Sequence, residues 1–254
     1  MRTPAAEFRS DRNEWLFRAR VGSRLTVKLV DRPSPNHAPR PDGTAVDVLV
    51  LHYTELPLQE SLDILSDPTR EHRVSAHYVL AEDGTIYRLV PEDRVAWHAG
   101  RSSWRGREAL NATSIGIEIV NLDGDRHDYP HQQVAALIEL CSAILARHPA
   151  IVPRNVVGHS DIAPQRKVDP GRRFPWKTLA DAGIGLWPKA GERPLFGELQ
   201  AALQRYGYAP PVAVPPREIV KAFQRHFRPA KVDGMPDPET RALLAGLLDR
   251  LARE

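Results

Sequence analysis

A single cysteine, Cys141, stands in 254 residues. No disulfide can form within the chain, so the fold does not depend on an oxidising compartment. Cys141 lies three residues after Ile138 and four after Leu137 in HQQVAALIELCSAILARH. That spacing puts it on the apolar face of a predicted helix, as a buried thiol rather than a nucleophile. Long apolar runs are missing too. The opening MRTPAAEFRSDRNEWLF has no apolar core of signal-peptide length and no lipid-attachment cysteine. No stretch approaches the roughly 20 apolar residues that cross a bilayer. The expectation is a cytoplasmic protein with no transmembrane segment, the periplasm or envelope being the alternative if a leader has been removed. Charge of one sign is not concentrated either: 35 basic residues face 32 acidic ones, a net of +3. Without a polybasic tail, nucleic acid is not an expected partner. HExxH is absent, which argues against a metallopeptidase built on that helix.

What is present describes a folded, water-exposed chain, 42% hydrophobic and 26% charged. Its length exceeds the roughly 100–200 residues of one ordinary domain, so two are expected. Residues 1–40 are polar and proline-punctuated and read as an N-terminal arm, with a strand at RLTVKLV. Residues 41–190 interleave strands and helices. AVDVLVLHY is a continuous apolar run expected as a strand buried on both faces. LQESLDILSD has helical spacing, and VSAHYVL and TIYRLV are strands joined at AEDG. In SIGIEIV, Ile115, Ile117 and Ile119 share one face and Glu118 points to the other. The helix around Cys141 and the strand NVVGH complete an α/β fold, a mixed central sheet flanked by helices. From 191 to 254 the texture becomes helical. LFGELQAALQRYGY, REIVKAFQRHF and PETRALLAGLLDRLARE predict a small three-helix domain, the last opening at Asp237-Pro238-Glu239 with proline in its first turn.

The chemistry gathers in few places. His52 ends the first buried strand, and His159 and Asp169 lie in NVVGHSDIAPQRKVDPG. Two imidazoles and a carboxylate make three ligands for one zinc ion per chain and leave a fourth tetrahedral position for water. Glu118, an acid in an apolar strand, is positioned to take and return that water's proton. This constellation points to a zinc hydrolase.

HYT, SAHYVL, AWHAG, SSWRG, SIGIEIVN and GHSDIAPQRKVDPG occur in the order seen in zinc-dependent N-acetylmuramoyl-L-alanine amidases. Residues 45–190 resemble that family, the AmiD/AmpD group in particular. IVKAFQRHFRPAKVDGMPDPETRALLAGLL resembles a peptidoglycan-binding three-helix domain. The resemblance implies His52, His159 and Asp169 as zinc ligands, Glu118 as general base and Lys167 as a cation that helps the transition state. It implies peptidoglycan or muropeptide fragments as partners, and hydrolysis of the bond between the lactyl group of N-acetylmuramic acid and L-alanine. Trp97, His98 and Asn111 correspond to positions in or beside the family pocket, and His77 is a further candidate. Relatives often carry an arginine two residues before that asparagine. Here Ala109 stands there, and Arg107 or Arg105 are the candidate replacements.

The remaining histidines, His37, His72, His127, His131, His148 and His226, are read as solvated or packed. Leu199, Leu203, Ile219, Phe223 and Leu243 have the spacing any small bundle needs for its core, so they establish a helical unit and not a ligand. The short proline-rich connection predicts two docked domains in a monomer. The alternative function is a non-catalytic peptidoglycan-recognition protein on the same fold. Loss of a zinc ligand or of Glu118 would favour it, and the chain keeps all four.

Overall fold

The computed structural model describes residues 27–190, 197–210 and 213–253. In chain order the elements are β1 (Leu29–Asp31), β2 (His37–Pro39), β3 (Val48–Tyr53), α1 (Leu58–Ser66), β4 (Tyr78–Leu80), β5 (Ile86–Arg88), β6 (Arg94–Ala96), β7 (Ser103–Trp104) and β8 (Arg107–Glu108). Then come β9 (Ser114–Ile119), α2 (His131–Arg147), β10 (Val156–Gly158), α3 (His159–Ile162), α4 (Trp176–Asp181), α5 (Leu199–Tyr206), α6 (Pro216–Phe227) and α7 (Pro238–Leu251). Six strands form one sheet in the order β1-β5-β4-β9-β3-β10. Only β4 and β5 run antiparallel within it, joined through the AEDG turn where Gly84 has φ +85°. The mixed sheet is the expected one.

The sheet separates two kinds of neighbour by strand parity. Leu49 and Leu51 of β3, Ile115, Ile117 and Ile119 of β9 and Val156 of β10 pack with Leu137, Leu140, Cys141 and Ile144 of α2. Each such side chain, taken fully out of water, contributes about 1.5–3 kcal/mol. Val48 and Val50 of β3 and Val157 of β10 face the opposite side, against Leu203, Tyr206, Tyr208, Ile219 and Phe223. β3 is therefore buried throughout, as its unbroken apolar run requires.

Two expectations change. Within the expected arm, residues 27–40 belong to the fold. Val27 and Leu29 are buried in the α2-side core, β1 pairs with β5, and β2 pairs with β6. Residues 1–26 lie outside the described residues. The C-terminal helices pack among themselves and share their core with the sheet instead of closing it off as a separate unit. Leu203, Tyr206, Tyr208 and Phe223 share one cluster with Val48, Val50, Trp104 and Leu110. The edge of the Trp104 ring meets Tyr208, with centroids 5.1 Å apart. The cause is compositional: a bundle this small buries too little surface by itself, and the valine face of the sheet completes it. α7 begins as expected, with the Asp237 side chain accepting from Thr240 N and Pro238 in the first turn.

Candidate active site

Parity puts the chemistry on the valine side. β9 and β3 pair in parallel with His52 opposite Glu118, so both side chains leave the same face beyond Val48 and Val50. β10 lies on the other flank of β3 and runs directly into α3, whose first residue is His159. The loop after α3 returns Asp169 to the same point. His52 Nδ1 and His159 Nδ1 are 3.0 Å apart, and Asp169 Oδ2 lies 3.0 Å from the first and 3.1 Å from the second. All three residues are buried.

Hydrogen bonds on the far side of each ring settle what this triangle can hold. Leu110 O only accepts, so the Ser114 hydroxyl donates to it, at 2.7 Å. Ser114 Oγ then accepts from His98 Nε2 at 3.1 Å, which leaves His98 Nδ1 as the acceptor for His52 Nε2 at 3.0 Å. The lone pair of His52 is thereby left on Nδ1. His159 reaches the same state by donating from Nε2 to Ala99 O at 3.2 Å. Two lone pairs and a carboxylate oxygen thus converge with no proton between them, an arrangement that a cation makes favourable. Ligand atoms around a tetrahedral zinc stand about 3.3 Å apart for bonds of ~2.0–2.1 Å, close to the observed triangle. The three side chains are placed to hold one metal ion.

The two carboxylates beside this point are held in opposite states. Burial alone would push Asp169 up, but positive charge shared with His159 and His52 at its Oδ2, whether brought by a proton or by a metal ion, holds it far below the usual carboxylate range. Glu118, with Oε1 4.0 Å from His52 Nδ1, is pushed well above that range by burial first and by the charge of Asp169 second. Burial, and then the neighbouring His159, lowers His52 to about 4, so its imidazole stays neutral at physiological pH.

A pocket of about 190 Å³ opens on this centre, lined by Glu118, Lys167, Trp97 and His98 together with His159 and Asp169. The guanidinium of Arg73 lies 5.1 Å above the Trp97 ring. The opposite wall comes from Tyr53 to Leu56 and from Ser61, Ile64 and Leu65 of α1. Sequence reasoning missed this wall, although the apolar spacing of LQESLDILSD marks which side of α1 faces inward.

Three expected pocket residues stand elsewhere. Asn111 Oδ1 accepts from His98 N at 3.2 Å and Ala99 N at 2.8 Å, so it shapes the turn that carries His98. Arg107 is taken by Asp47 at 2.7 Å. His77 is fully buried, accepts from Gly116 N at Nδ1 and meets Arg94 O at Nε2. Arg105 also turns away, to Asn155 Oδ1 at 3.2 Å. Neither arginine replaces the one absent at Ala109. His98 itself lies flat on β9, where a Cβ at Gly116 would come within 2.4 Å of the ring. Glycine at 116 is the condition for the histidine chain, and nothing in the sequence alone marked the pair.

The helix carrying His159 is held from outside the sheet. Asp161 accepts from Gly158 N at 2.8 Å, from Tyr208 Oη at 2.6 Å and from His226 Nδ1 at 2.7 Å. His226 stacks on Trp176 with centroids 3.7 Å apart. The C-terminal helices thus hold the residue two positions beyond His159.

Comparison with known proteins agrees with this geometry. Residues 42–172 match the N-acetylmuramoyl-L-alanine amidase family model, and residues 192–244 match a peptidoglycan binding domain. The amidase AmiD of Escherichia coli is 42% identical over 238 residues, covering 82% of this chain and 84% of AmiD. The 1,6-anhydro-N-acetylmuramyl-L-alanine amidase AmpD of Citrobacter freundii is 42% identical over 161 residues, covering 57% of this chain and 84% of its own. In structure, AmiD from E. coli, solved with the substrate anhydro-N-acetylmuramic acid-L-Ala-D-gamma-Glu-L-Lys, superposes with a TM-score of 0.72 at 40% identity over 84% of this chain and 93% of AmiD. AmpDh3 of Pseudomonas aeruginosa gives 0.75 at 40% identity over 84% and 94%. With more than half of the chain matched by the family model and AmiD 42% identical over 82% of the chain, the chain belongs to the N-acetylmuramoyl-L-alanine amidase family.

Proposed function

We propose that this chain is a zinc amidase that hydrolyses the bond between the lactyl carbonyl of N-acetylmuramic acid and L-alanine, in muropeptides or peptidoglycan. The observation that carries the reading is the triangle of His52 Nδ1, His159 Nδ1 and Asp169 Oδ2 with Glu118 beside it. His52, His159 and Asp169 would hold a zinc ion, which when bound would supply Lewis acidity toward the carbonyl and toward a water, whose pKa such an ion brings to about 7. Glu118, raised by burial, is a base strong enough to take the water's proton and an acid strong enough to return it to the leaving alanine nitrogen. Lys167 lines the same pocket and places a cation where the carbonyl oxygen gathers charge. Trp97 and the α1 wall give the muramyl group and peptide an apolar face, and the Ser114–His98 chain keeps His52 oriented.

The stem peptide is recognised without Arg105 or Arg107, both engaged elsewhere. Strict dependence on a diaminopimelate carboxylate is therefore not expected, and lysine-containing stems are expected to be cut. The test is incubation with a defined muramyl tripeptide and with intact sacculi, with and without chelator, the products read by mass spectrometry. Chelator-sensitive release of peptides beginning with L-alanine is the expected result. Intact substrate in every zinc-loaded sample would leave a wall-binding protein with a silent metal site.

A further inference from the structure

A second opening, of about 340 Å³, lies where the loop after β9 and the segment after Asp169 meet α6 and the turn that follows it. Its lining is Asp125, Arg126, Arg172, Lys221, Arg225 and Val232, none of which lines the catalytic pocket. Four cations face one carboxylate there, in a chain whose whole net charge is only +3.

The partners of these groups differ. Lys221 binds Glu218 at 2.8 Å, and Arg126 stands 3.3 Å from Asp123 with its side chain 83% exposed. Asp125 accepts the backbone N–H of Arg172 at 2.8 Å, and Arg172 Nε donates to Asp125 O at 3.3 Å. Arg225 has no such partner among the described residues, and its Nε is buried without an acceptor. A guanidinium cannot shed its proton, and a buried donor left unpaired costs about 1–3 kcal/mol. Arg225 also lines the cleft, so acceptor oxygens brought there would meet a guanidinium that no carboxylate among the described residues neutralises. Planar guanidinia match carboxylates, which accept two parallel N–H bonds.

The cleft adjoins the catalytic centre along one loop. Arg172 follows Asp169 by three residues, so their Cα atoms are at most about 11 Å apart. Gly124, next to Asp125, packs against the backbone of Pro170 and Gly171. A stem of the sequence L-Ala-D-γ-Glu-L-Lys leaves the α-carboxylate of its glutamate free, because the peptide runs through the γ-carbon. In an intact wall, neighbouring stems carry such carboxylates on all sides of the bond being cut. A short soluble fragment has no neighbouring stem.

We propose that this cleft is a secondary binding site for stem-peptide carboxylates of polymeric peptidoglycan, used when a sacculus rather than a fragment lies at the metal site. The proposal rests on the amidase reading. Its test is the double variant Arg126→Gln/Arg225→Gln of the full chain, against two substrates and one binding assay. Turnover of a soluble muramyl tripeptide should stay within about twofold of the parent. Cosedimentation of the metal-free protein with sacculi stripped of phosphate polymers should fall at least fivefold at low salt, with a shallower salt dependence. Unchanged cosedimentation overturns the proposal. An equal loss on tripeptide and sacculi also overturns it, because the arginines would then serve fold or catalysis. Parent protein that binds only sacculi retaining their phosphate polymers assigns the cleft to phosphate, against the carboxylate claim. Failure of the amidase reading shows separately, as zinc-loaded parent protein that leaves the tripeptide intact while cosedimentation still reports on the cleft.

Discussion

The two faces of the central sheet are made by the same strands and do opposite work. On the α2 side, β3 and β9 present Leu49, Leu51, Ile115, Ile117 and Ile119, and the only consequence is a core. One residue out of phase, the same strands present His52, Ser114, Gly116 and Glu118. The second face is held rigid because the first is densely packed: a strand locked by leucine and isoleucine on one side cannot rotate the histidine on the other. Chemistry here is inherited from the core by parity. Substitutions at neighbouring positions of one strand should therefore separate cleanly into losses of turnover and losses of stability.

The largest effect is expected at Glu118. Glu118→Gln should lower turnover of a muramyl tripeptide by about 10²–10⁴-fold, the usual worth of a positioned acid–base group. The protein should still bind one zinc ion, as metal analysis would show. Loss of both together would mean that Glu118 builds the site rather than acting in it. The same residue sets the pH profile. Its carboxyl is raised by burial and by Asp169, so it is protonated, and lost as a base, as pH falls through a value above the ordinary carboxylate range. The acid limb of kcat/KM should accordingly lie above pH ~4.5 and fall about tenfold per pH unit. His52, lowered to about 4, stays neutral through most of that limb and is not its source. A profile flat down to pH 4 would contradict the assignment.

One position away the outcome should invert. Ile117→Ala removes a fully buried side chain from the α2 face and should cost about 2–5 kcal/mol of unfolding free energy. Turnover per folded molecule and zinc affinity should stay near the parent values. Denaturant midpoints paired with single-turnover rates would check both, and a large loss of turnover in the folded fraction would break the proposed division between faces.

The histidine chain lies between these extremes. His98→Leu removes the acceptor that fixes the His52 tautomer and should weaken zinc binding about 10–100-fold, read by competition with a chromophoric chelator. Ser114→Ala should weaken it less, since His98 keeps its contact with His52. Equal zinc affinity in all three proteins would show that His98 serves the substrate pocket alone.

Much of this division was legible in the residues. Period-two alternation in SIGIEIV assigns Glu118 to the face opposite the isoleucines, and the unbroken AVDVLVLHY run marks a strand covered on both sides. His52, His159 and Asp169 were recognisable by residue type and surroundings, and the structure brings them within about 3 Å of one another. The two- and three-residue strands β2, β6, β7 and β8 were not legible, because such short pairings carry no periodicity and arise from tertiary contact. Nor were the duties of Asn111, Arg107 and His77. Each has the chemistry of a ligand group, and only the fold shows that backbone amides, Asp47 and Gly116 N have already claimed it. Asp161 is a similar case. Its partners Tyr208 and His226 lie 47 and 65 residues away, and no local pattern connects them.

The smallest predicted effect tests whether the α2 side is free of functional charge. A dense polar cluster on that side sits at the rim, where Glu92 accepts from Tyr78 Oη at 2.7 Å, Arg147 Nη2 at 2.6 Å and His148 Nε2 at 2.8 Å. These bonds tie the end of α2 to β4. Burial alone would raise Glu92, but Arg147, Tyr78 and His148 together lower it to about 2. A carboxyl lowered in the folded state stabilises fully above its unfolded pKa of about 4.5 and ceases to do so as pH falls through about 2. Glu92→Gln should therefore cost about 1–3 kcal/mol at pH 7, the worth of charge-assisted hydrogen bonds. The gap between variant and parent should narrow steadily from pH 4.5 downward, as urea midpoints at pH 6 and pH 3 would show. Turnover at neutral pH should be unchanged, because this charge holds a helix and the site lies on the other face. A Glu92 variant stable at pH 7 but slow would show that the two faces communicate through α2, and parity alone would no longer account for the division of labour.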